Sequence, residues 1–447
     1  MAFNSNYLSI SNKDLEYDNN LRWSNAEQFQ SHRGAFSKDR DRVLYSKSFM
    51  RLRGKTQVFM LQDNDYLRTR LTHTLAVSQV ARSIATELGL NMELVETIAL
   101  GHDVGHTPFG HIGERTLRAI LEEDDATPKE KKGFKHNLQA LRLFCDLEKG
   151  ADYPEVKGLN LTKYALWGIA HHSSIMRKPI EYDGLGNPID PDVIHTENPF
   201  YDHYLNEIKN YWSFEGYVVA IADEIAQRHH DIEDSLQFGV LSRKTIVDRL
   251  ADFRPLFTEA DEVTFERLKK GIDTMAESVF TSVYSRLVIN IYVVNAINQT
   301  KLNMRFFEQQ YNINSQSDFS HIKKSIPEVA YSKIISFSDE LTQIDKSFQE
   351  FMMTSVLSSF PAQAMDGKGE SIVRRLYVAF ADNPIQLPDS AIKSFCIHIG
   401  IPFDRSQVCG RLDANVATMH RCIVDYIGGM TDGYAYREYD RLYGTKF

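Results

Sequence analysis

Apolar residues recur along most of this chain at the three- and four-residue spacing of an amphipathic helix. Val77, Val80, Ala81, Ile84 and Leu88 follow that spacing and Gly89 supplies a stop, so a helix of about four turns is expected after His73. A second is expected from Asn91 to His102, where Val95, Ile98, Ala99 and His102 share a face and Gly105 and Pro108 prevent continuation. A third covers Glu215–Asp234, with Val219, Ala222, Asp223 and Ala226 on one stripe. The same periodicity marks Phe265–Ile297, Lys346–Leu357, Ser371–Phe380 and Ala414–Tyr426. Strict alternation of the strand kind is scarce, and Asp183-Gly184 and Asp366-Gly367 are the main turn dipeptides, so the fold is expected to be all-α. Loops are expected at Glu122–Lys135, Lys178–Pro199 and Asn312–Pro327.

Charge and composition narrow the class. The 51 Lys and Arg against 60 Asp and Glu leave a formal charge of −9, which excludes a polybasic nucleic-acid binder. Hydrophobic residues at 43 % and charged residues at 25 % are the balance of a globular protein. A prior of roughly 150 residues per domain gives about three domains, a count that one continuous helical core would undercut. No apolar run reaches the roughly 18 residues of a membrane span and Met1–Asn25 is polar, so no membrane and a cytoplasmic location are expected. Cys145, Cys396, Cys409 and Cys422 form no C-x-x-C pair and read as buried, reduced residues.

The chemistry concentrates in a run of histidines: His73, then His102-Asp103, then His106 and His111. A His-Asp pair at one helix end, facing a His near the start of the preceding helix, offers two imidazoles and a carboxylate to a metal. Asp223, on the inward stripe of the third helix, is the fourth candidate, because an unpaired carboxylate there is costly to bury without a cation. Such a set suits Mn²⁺, Fe²⁺, Mg²⁺, Co²⁺ or Zn²⁺ and does not choose between them.

The pattern His73, His102-Asp103, Asp223 resembles the HD phosphohydrolase superfamily, and the flanking strings narrow the resemblance. Arg40-Asp41-Arg42 with Gly54–Phe59, R-T-R-L-T-H-T-L from Arg68, G-H-D-V-G-H-T-P-F-G-H-I-G-E from Gly101, F-K-H-N-L-Q-A-L-R from Phe134, the Glu215–Asp234 helix and D-Y-I-G-G-M-T-D-G-Y-A from Asp425 span nearly the whole chain. They are similar to the bacterial deoxyguanosinetriphosphate triphosphohydrolase-like proteins, relatives of the mammalian HD-domain dNTP hydrolase. The resemblance implies a helical HD core with additional C-terminal helices. It also implies one divalent ion per subunit, Mn²⁺, Mg²⁺ or Fe²⁺, and hydrolysis of a dNTP, dGTP or several, to deoxynucleoside and tripolyphosphate by water attack at the α-phosphorus.

On that reading His111 and Glu114, three residues apart on one helical side, are the catalytic pair, with the carboxylate orienting the imidazole. Whether His111 protonates the leaving oxygen or activates the water stays open. Arg70, three residues before His73, is the expected phosphate contact, with His106 and His136 facing the triphosphate by resemblance. Gln57 falls where relatives read sugar and base, and Asp231 where they accept from the sugar 3′-hydroxyl. Gln227 stands where relatives usually carry a Tyr against the sugar; looser sugar discrimination, or substitution by Tyr217 or Tyr292, is expected. His171-His172, His229-His230, Lys129–Lys132 and Lys323-Lys324 read as packing or solvated residues.

The expected organisation is an N-terminal segment at 1–60, a metal core at 61–240 with an insertion at about 178–199, and a C-terminal helical region at 241–447 packed on the same core. A homo-oligomer, tetramer or hexamer, and a separate dNTP activator site are implied by resemblance. The rivals are another HD phosphohydrolase, a nucleotidase or phosphodiesterase, and a DNA-binding or regulatory protein with a vestigial site, for which a local single-strand groove is not forbidden.

Overall fold

The computed structural model describes residues 6–11, 20–24, 33–57, 68–149, 158–178, 193–412 and 414–444. The principal helices are α1 (Ala35–Leu44), α2 (Arg70–Leu88), α3 (Met92–Gly101), α4 (His111–Glu123), α5 (His136–Arg142), α6 (Lys163–His171), α7 (Phe214–Gln237), α8 (Glu277–Gln310), α9 (Asp339–Met352), α10 (Phe360–Asp382), α11 (Asp389–His398), α12 (Val416–Gly428) and α13 (Asp432–Tyr443). Among the described residues there is no strand, only isolated bridges such as Thr56 with Thr69.

Local chemistry sets the ends of the helices that carry the site. Thr69 and Thr72 form a reciprocal capping box at the start of α2, and Gly89 ends it with φ 70°, a left-handed conformation open to glycine at no steric cost. The Asn91 side chain accepts from the Leu94 amide and starts α3, and the Ser213 hydroxyl accepts from the Gly216 amide and starts α7.

Leu94, Val95, Ile98 and Ala99 of α3 are fully buried, each of the larger ones contributing roughly 1.5–3 kcal/mol relative to exposure. Helix α3 lies against α1, α2, α6 and α7, and its meeting with α6 is close because Gly168 has no Cβ to run into Ile98. Helix α7 also packs on α2 and α8. Two apolar clusters result. The larger gathers α1–α3, α6, α7 and α8; the second joins Phe109, Leu117, Ile120, Leu121 and Phe134 to the C-terminal helices α10–α13. The C-terminal helices are thus the support on which α4 rests.

Several expectations change. The periodic stretch Phe265–Ile297 is two helices, Glu259–Lys270 and α8, because Gly271 caps the first and the Ile272–Met275 turn intervenes. Asn312–Pro327 holds a short helix, Gln316–Ile322, started by the Ser315 hydroxyl. Most of Lys178–Pro199 lies outside the described residues. Lys323 is not solvated: its ammonium sits 4.6 Å from the Tyr164 ring and 4.7 Å from the Trp212 ring, and burial pushes its pKa down to about 7. Helix α8 passes the length and composition of a bilayer-crossing helix without holding an unbroken apolar run. Its Phe280, Tyr284, Leu287 and Ile291 are instead buried against protein. Cys145, Cys396 and Cys422 are buried free thiols.

Candidate active site

Five helix ends, the starts of α2, α4 and α5 and the ends of α3 and α6, and one face of α7 converge on a cavity of about 620 Å³. Helix α2 brings Arg70 and His73 in its first turn, α3 delivers His102 and Asp103 as it ends, and α7 presents Tyr217, Ala220, Asp223, Glu224 and Gln227 along one side. His73, His102 and Asp103 each place a ligand atom within 4.8 Å of the others. His73 Nε2 is 2.8 Å from Asp223 Oδ1, and His102 Nε2 is 3.5 Å from Asp103 Oδ1 and 3.7 Å from Asp223 Oδ1. Asp223 keeps 25 % of its side chain open to the cavity, which leaves it reachable by a ligand.

The proton positions test whether this group fits a cation. His102 Nδ1 lies 2.7 Å from the Ala99 carbonyl, which only accepts, so Nδ1 carries the hydrogen. In the neutral ring Nε2 is then a bare lone pair, buried without a hydrogen-bond partner and aimed at two carboxylates. A divalent ion between these groups removes that repulsion, and the donor set fits one. Burial opposes the charge on Asp103, yet the Arg70 guanidinium and the hydrogen bond from His106 help hold its carboxyl well below the usual range. At Asp223 burial is likewise outweighed, first by the hydrogen bond from His73, and its pKa is lowered.

A row of imidazoles adjoins this group. His106 Nε2 is 3.1 Å from Asp103 Oδ1, and its ring stacks on that of His136 at 3.9 Å between centroids. That approach depends on Gly105, where a Cβ would collide with the His136 carbonyl. His111 opens α4 after Phe109 and Gly110, both at positive φ; its side chain is exposed, and the crowding of the cavity walls with the Arg70 charge nearby pushes its pKa below the usual imidazole value. Arg70 is buried and gives Nη1 to Asp103 Oδ2 at 2.9 Å, while its Nε and Nη2 have no partner among the described residues. Arg70 lines the cavity, and a Cβ on Gly110 would stand 3.4 Å from Nη2.

Glu114 departs from its expected partner. Its Oε2 accepts from the His136 amide at 3.1 Å and lies 2.6 Å from His136 Nδ1, while His111 stays within 4.8 Å in the same group. Burial works against ionisation of Glu114, and the charge and hydrogen bonds of His136 overcome it, bringing its pKa to about 2. The i, i+3 spacing placed Glu114 and His111 on one side of α4, but α5 arrives there with its own imidazole and amide.

Of the other expected residues, Gln57 and Gln227 line the cavity, and so does Tyr217. Tyr292 does not: it is buried on α8 with its hydroxyl 2.6 Å from Asp345. Asp231 is not among the lining residues either, although it is two turns from Asp223 on α7; its Oδ1 is buried without a partner among the described residues, and burial raises its pKa to about 7. His171 and His172, read as bland from sequence, line the cavity. His172 Nδ1 is 2.7 Å from the Ile169 carbonyl, and its ring stands 5.0 Å from that of His102. His230 pairs with His73 through their Nδ1 atoms at 3.0 Å. Arg177, joined to Glu328 at 2.5 Å, completes the rim. Adjacent His-His pairs ending one helix and lying inside another were the only signal available for these residues.

Residues 70–226 match the HD domain family and residues 335–441 the phosphohydrolase-associated domain. A deoxyguanosinetriphosphate triphosphohydrolase-like protein of Cereibacter sphaeroides is 33 % identical over 422 residues, 94 % of this chain and 95 % of its own. Proteins of the same description from Geobacter metallireducens and Rickettsia bellii are each 32 % identical, over 93 % of this chain and 90 % and 94 % of theirs. This chain belongs to the deoxyguanosinetriphosphate triphosphohydrolase-like family. Its HD match begins at Arg70, the first residue of α2, and ends on α7 just past Asp223, so the converging group lies inside it. The phosphohydrolase-associated match covers α9–α12 and most of α13, and so includes α10–α13, the helices on which α4 rests.

Proposed function

We propose that this HD phosphohydrolase cleaves deoxynucleoside triphosphates to the deoxynucleoside and tripolyphosphate, by attack of water on the α-phosphorus. The observation that carries the reading is the joining, at one cavity, of the His73, Asp103 and Asp223 donors, with His102 Nε2 3.5 and 3.7 Å from the two carboxylates, to a row of imidazoles and a buried guanidinium that has donors to spare. The relatives' description agrees with it. A divalent ion held by those four residues would supply Lewis acidity at a phosphoryl oxygen and lower the pKa of a water.

The remaining work falls to side chains. Arg70 binds phosphate oxygens through Nε and Nη2 while Nη1 stays on Asp103. His106 and His136, stacked beside it, present nitrogen atoms to the triphosphate. A substrate of roughly four negative charges favours the imidazolium form of His111, which then protonates the departing 5′-oxygen. Glu114 positions His136 and keeps negative charge near His111. Gln57, on the cavity wall, meets the sugar and base. The 1–60, 61–240 and 241–447 division, a tetrameric or hexameric assembly, a separate dNTP activator site and action in the cytoplasm belong to the same proposal.

Incubation of the purified chain with each dNTP, singly and mixed, with Mn²⁺ or Mg²⁺, and chromatography of the products, tests it. Deoxynucleoside with tripolyphosphate is expected. Nucleoside monophosphate, or no turnover in any mixture, overturns it.

A further inference from the structure

We propose that Arg177 reads the terminal phosphate of the substrate, giving up its ion pair with Glu328 for that phosphate, and so sets a preference for three linked phosphates over two. The inference deepens the triphosphohydrolase reading and rests on it for the identity of the chain that enters the cavity.

A triphosphate carries negative charge along its whole length, so a cavity that admits it needs cations at more than one depth. Among the described residues that line this cavity, Arg70 and Arg177 are the two with a permanent positive charge. They stand at different depths. Arg70 is 1 % exposed and bonded to Asp103, whereas the Arg177 side chain is 44 % exposed and lies at the solvent edge. Arg70 and His106 both reach Asp103 and therefore serve the inner end of the phosphate chain. The outer end needs a cation of its own, and Arg177 is the one at hand.

The backbone that carries Arg177 is fixed on several sides. Asn137 Nδ2, one residue after His136, donates to the carbonyls of Ala170 at 2.6 Å and Ser173 at 3.2 Å, and Lys135 donates to that of Ser174. The Ser174 hydroxyl accepts from the Met176 amide at 3.2 Å, the Met176 carbonyl accepts from the Glu197 amide at 3.0 Å, and Arg177 forms an isolated bridge with Thr196. Met176 takes φ 49°, a left-handed conformation that a residue other than glycine keeps only where its surroundings over-determine it. The chain is thus locked where it presents the next residue to the cavity.

The Arg177 side chain is held more lightly. It meets Glu328, the first residue of the short helix Glu328–Tyr331, at 2.5 Å, and the Glu328 side chain is 42 % exposed. Water screens an ion pair this open, so it contributes little net stability. A terminal phosphate offers the guanidinium more charge and more acceptor oxygens than one carboxylate does. Glu328 stays behind when the guanidinium turns, because Tyr331 of its helix stacks on Trp212 at 3.8 Å between centroids.

Calorimetric titration of the manganese-loaded full chain with manganese-saturated inorganic tripolyphosphate and pyrophosphate tests the assignment. Wild type is expected to bind tripolyphosphate at least about tenfold more tightly than pyrophosphate. Arg177→Met, checked for an unchanged Tm, is expected to lose about tenfold for tripolyphosphate and little for pyrophosphate, and Arg177→Lys to recover part of the loss. Glu328→Gln is expected to tighten tripolyphosphate binding in the wild-type background and not in Arg177→Met. A wild type that does not distinguish the two ions, equal losses for both ions in Arg177→Met, or an unchanged affinity overturns the proposal. Should Arg177→Met not fold, Glu328→Gln decides alone, and no gain for tripolyphosphate overturns it. Neither probe carries a nucleoside, so the titration is read apart from turnover: a chain that shows these shifts but leaves every dNTP intact fails the reaction reading and keeps Arg177 as the reader of the outer phosphate.

Discussion

Asp432, in the first turn of α13, accepts a hydrogen bond of 2.9 Å from the amide of Phe109, a residue 323 positions earlier and two before His111. Its other oxygen takes the Thr56 amide at 3.0 Å, one residue before Gln57. Between them the buried Lys55 ammonium donates to the carbonyls of His106 and, at 3.0 Å, of Gly428. One carboxylate from the C-terminal helices thus pins both backbone segments that enter the cavity. Asp432→Ala strands two buried amides, at about 1–3 kcal/mol for each such group. Thermal denaturation is expected to show a clear fall in Tm, and steady-state kinetics a loss in kcat; an unchanged Tm would refute the role.

His102→Ala removes the imidazole whose Nε2 lies between two carboxylates. The variant is expected to bind no stable metal there and to lose turnover. Retained metal by mass spectrometry together with retained activity would overturn the ligand assignment.

For Glu114→Ala the expectation is bound manganese with turnover lowered at least about a hundredfold, because His136 loses the acceptor that fixes its ring. Near-normal turnover sinks the assignment.

Gln227 lines the cavity without an aromatic face. Gln227→Tyr is expected to raise the ratio of kcat/KM for a dNTP over the matching ribonucleotide by roughly tenfold, the range available to added packing in a pocket. A ratio that does not move shows that discrimination resides elsewhere.

His229, 5 % exposed on α7, carries an acid-side prediction. Burial lowers its pKa from 6.5 to about 4. Above pH 6.5 both folded and unfolded forms are neutral; below it the unfolded chain takes up the proton first. Stability is therefore lost as pH falls from 6.5 to about 4, by up to about 1.4 kcal/mol per pH unit for this group. Urea denaturation across that range is expected to be flatter for His229→Gln than for the wild type, and equal slopes would refute it.

The amino-acid sequence by itself determined the helical class, because the apolar spacing of α2, α3 and α7 is a one-dimensional signal that each helix satisfies on its own. It also brought His73, His102, Asp103 and Asp223 forward as one group, since each falls at a helix end or on an inward stripe where an ionisable residue needs a reason. The phosphate-facing role of His106 and His136 was legible only through strings shared with relatives, whereas Arg70 followed from its place one helical turn before His73.

Tertiary structure decided the partners. Glu114 and His111 share a helix side, but α5 enters between the helices and gives Glu114 to His136. His172 has no periodic signature; it joins the site because Gly168 lets α6 close on α3 and sets its C-terminal residue beside His102. Asp432 and Lys55 are separated from the histidines by most of the chain, and no local pattern encodes their bonds to Phe109 and His106. Periodicity specifies which face of a helix is buried, whereas the identity of the atom met there depends on how helices distant in sequence pack.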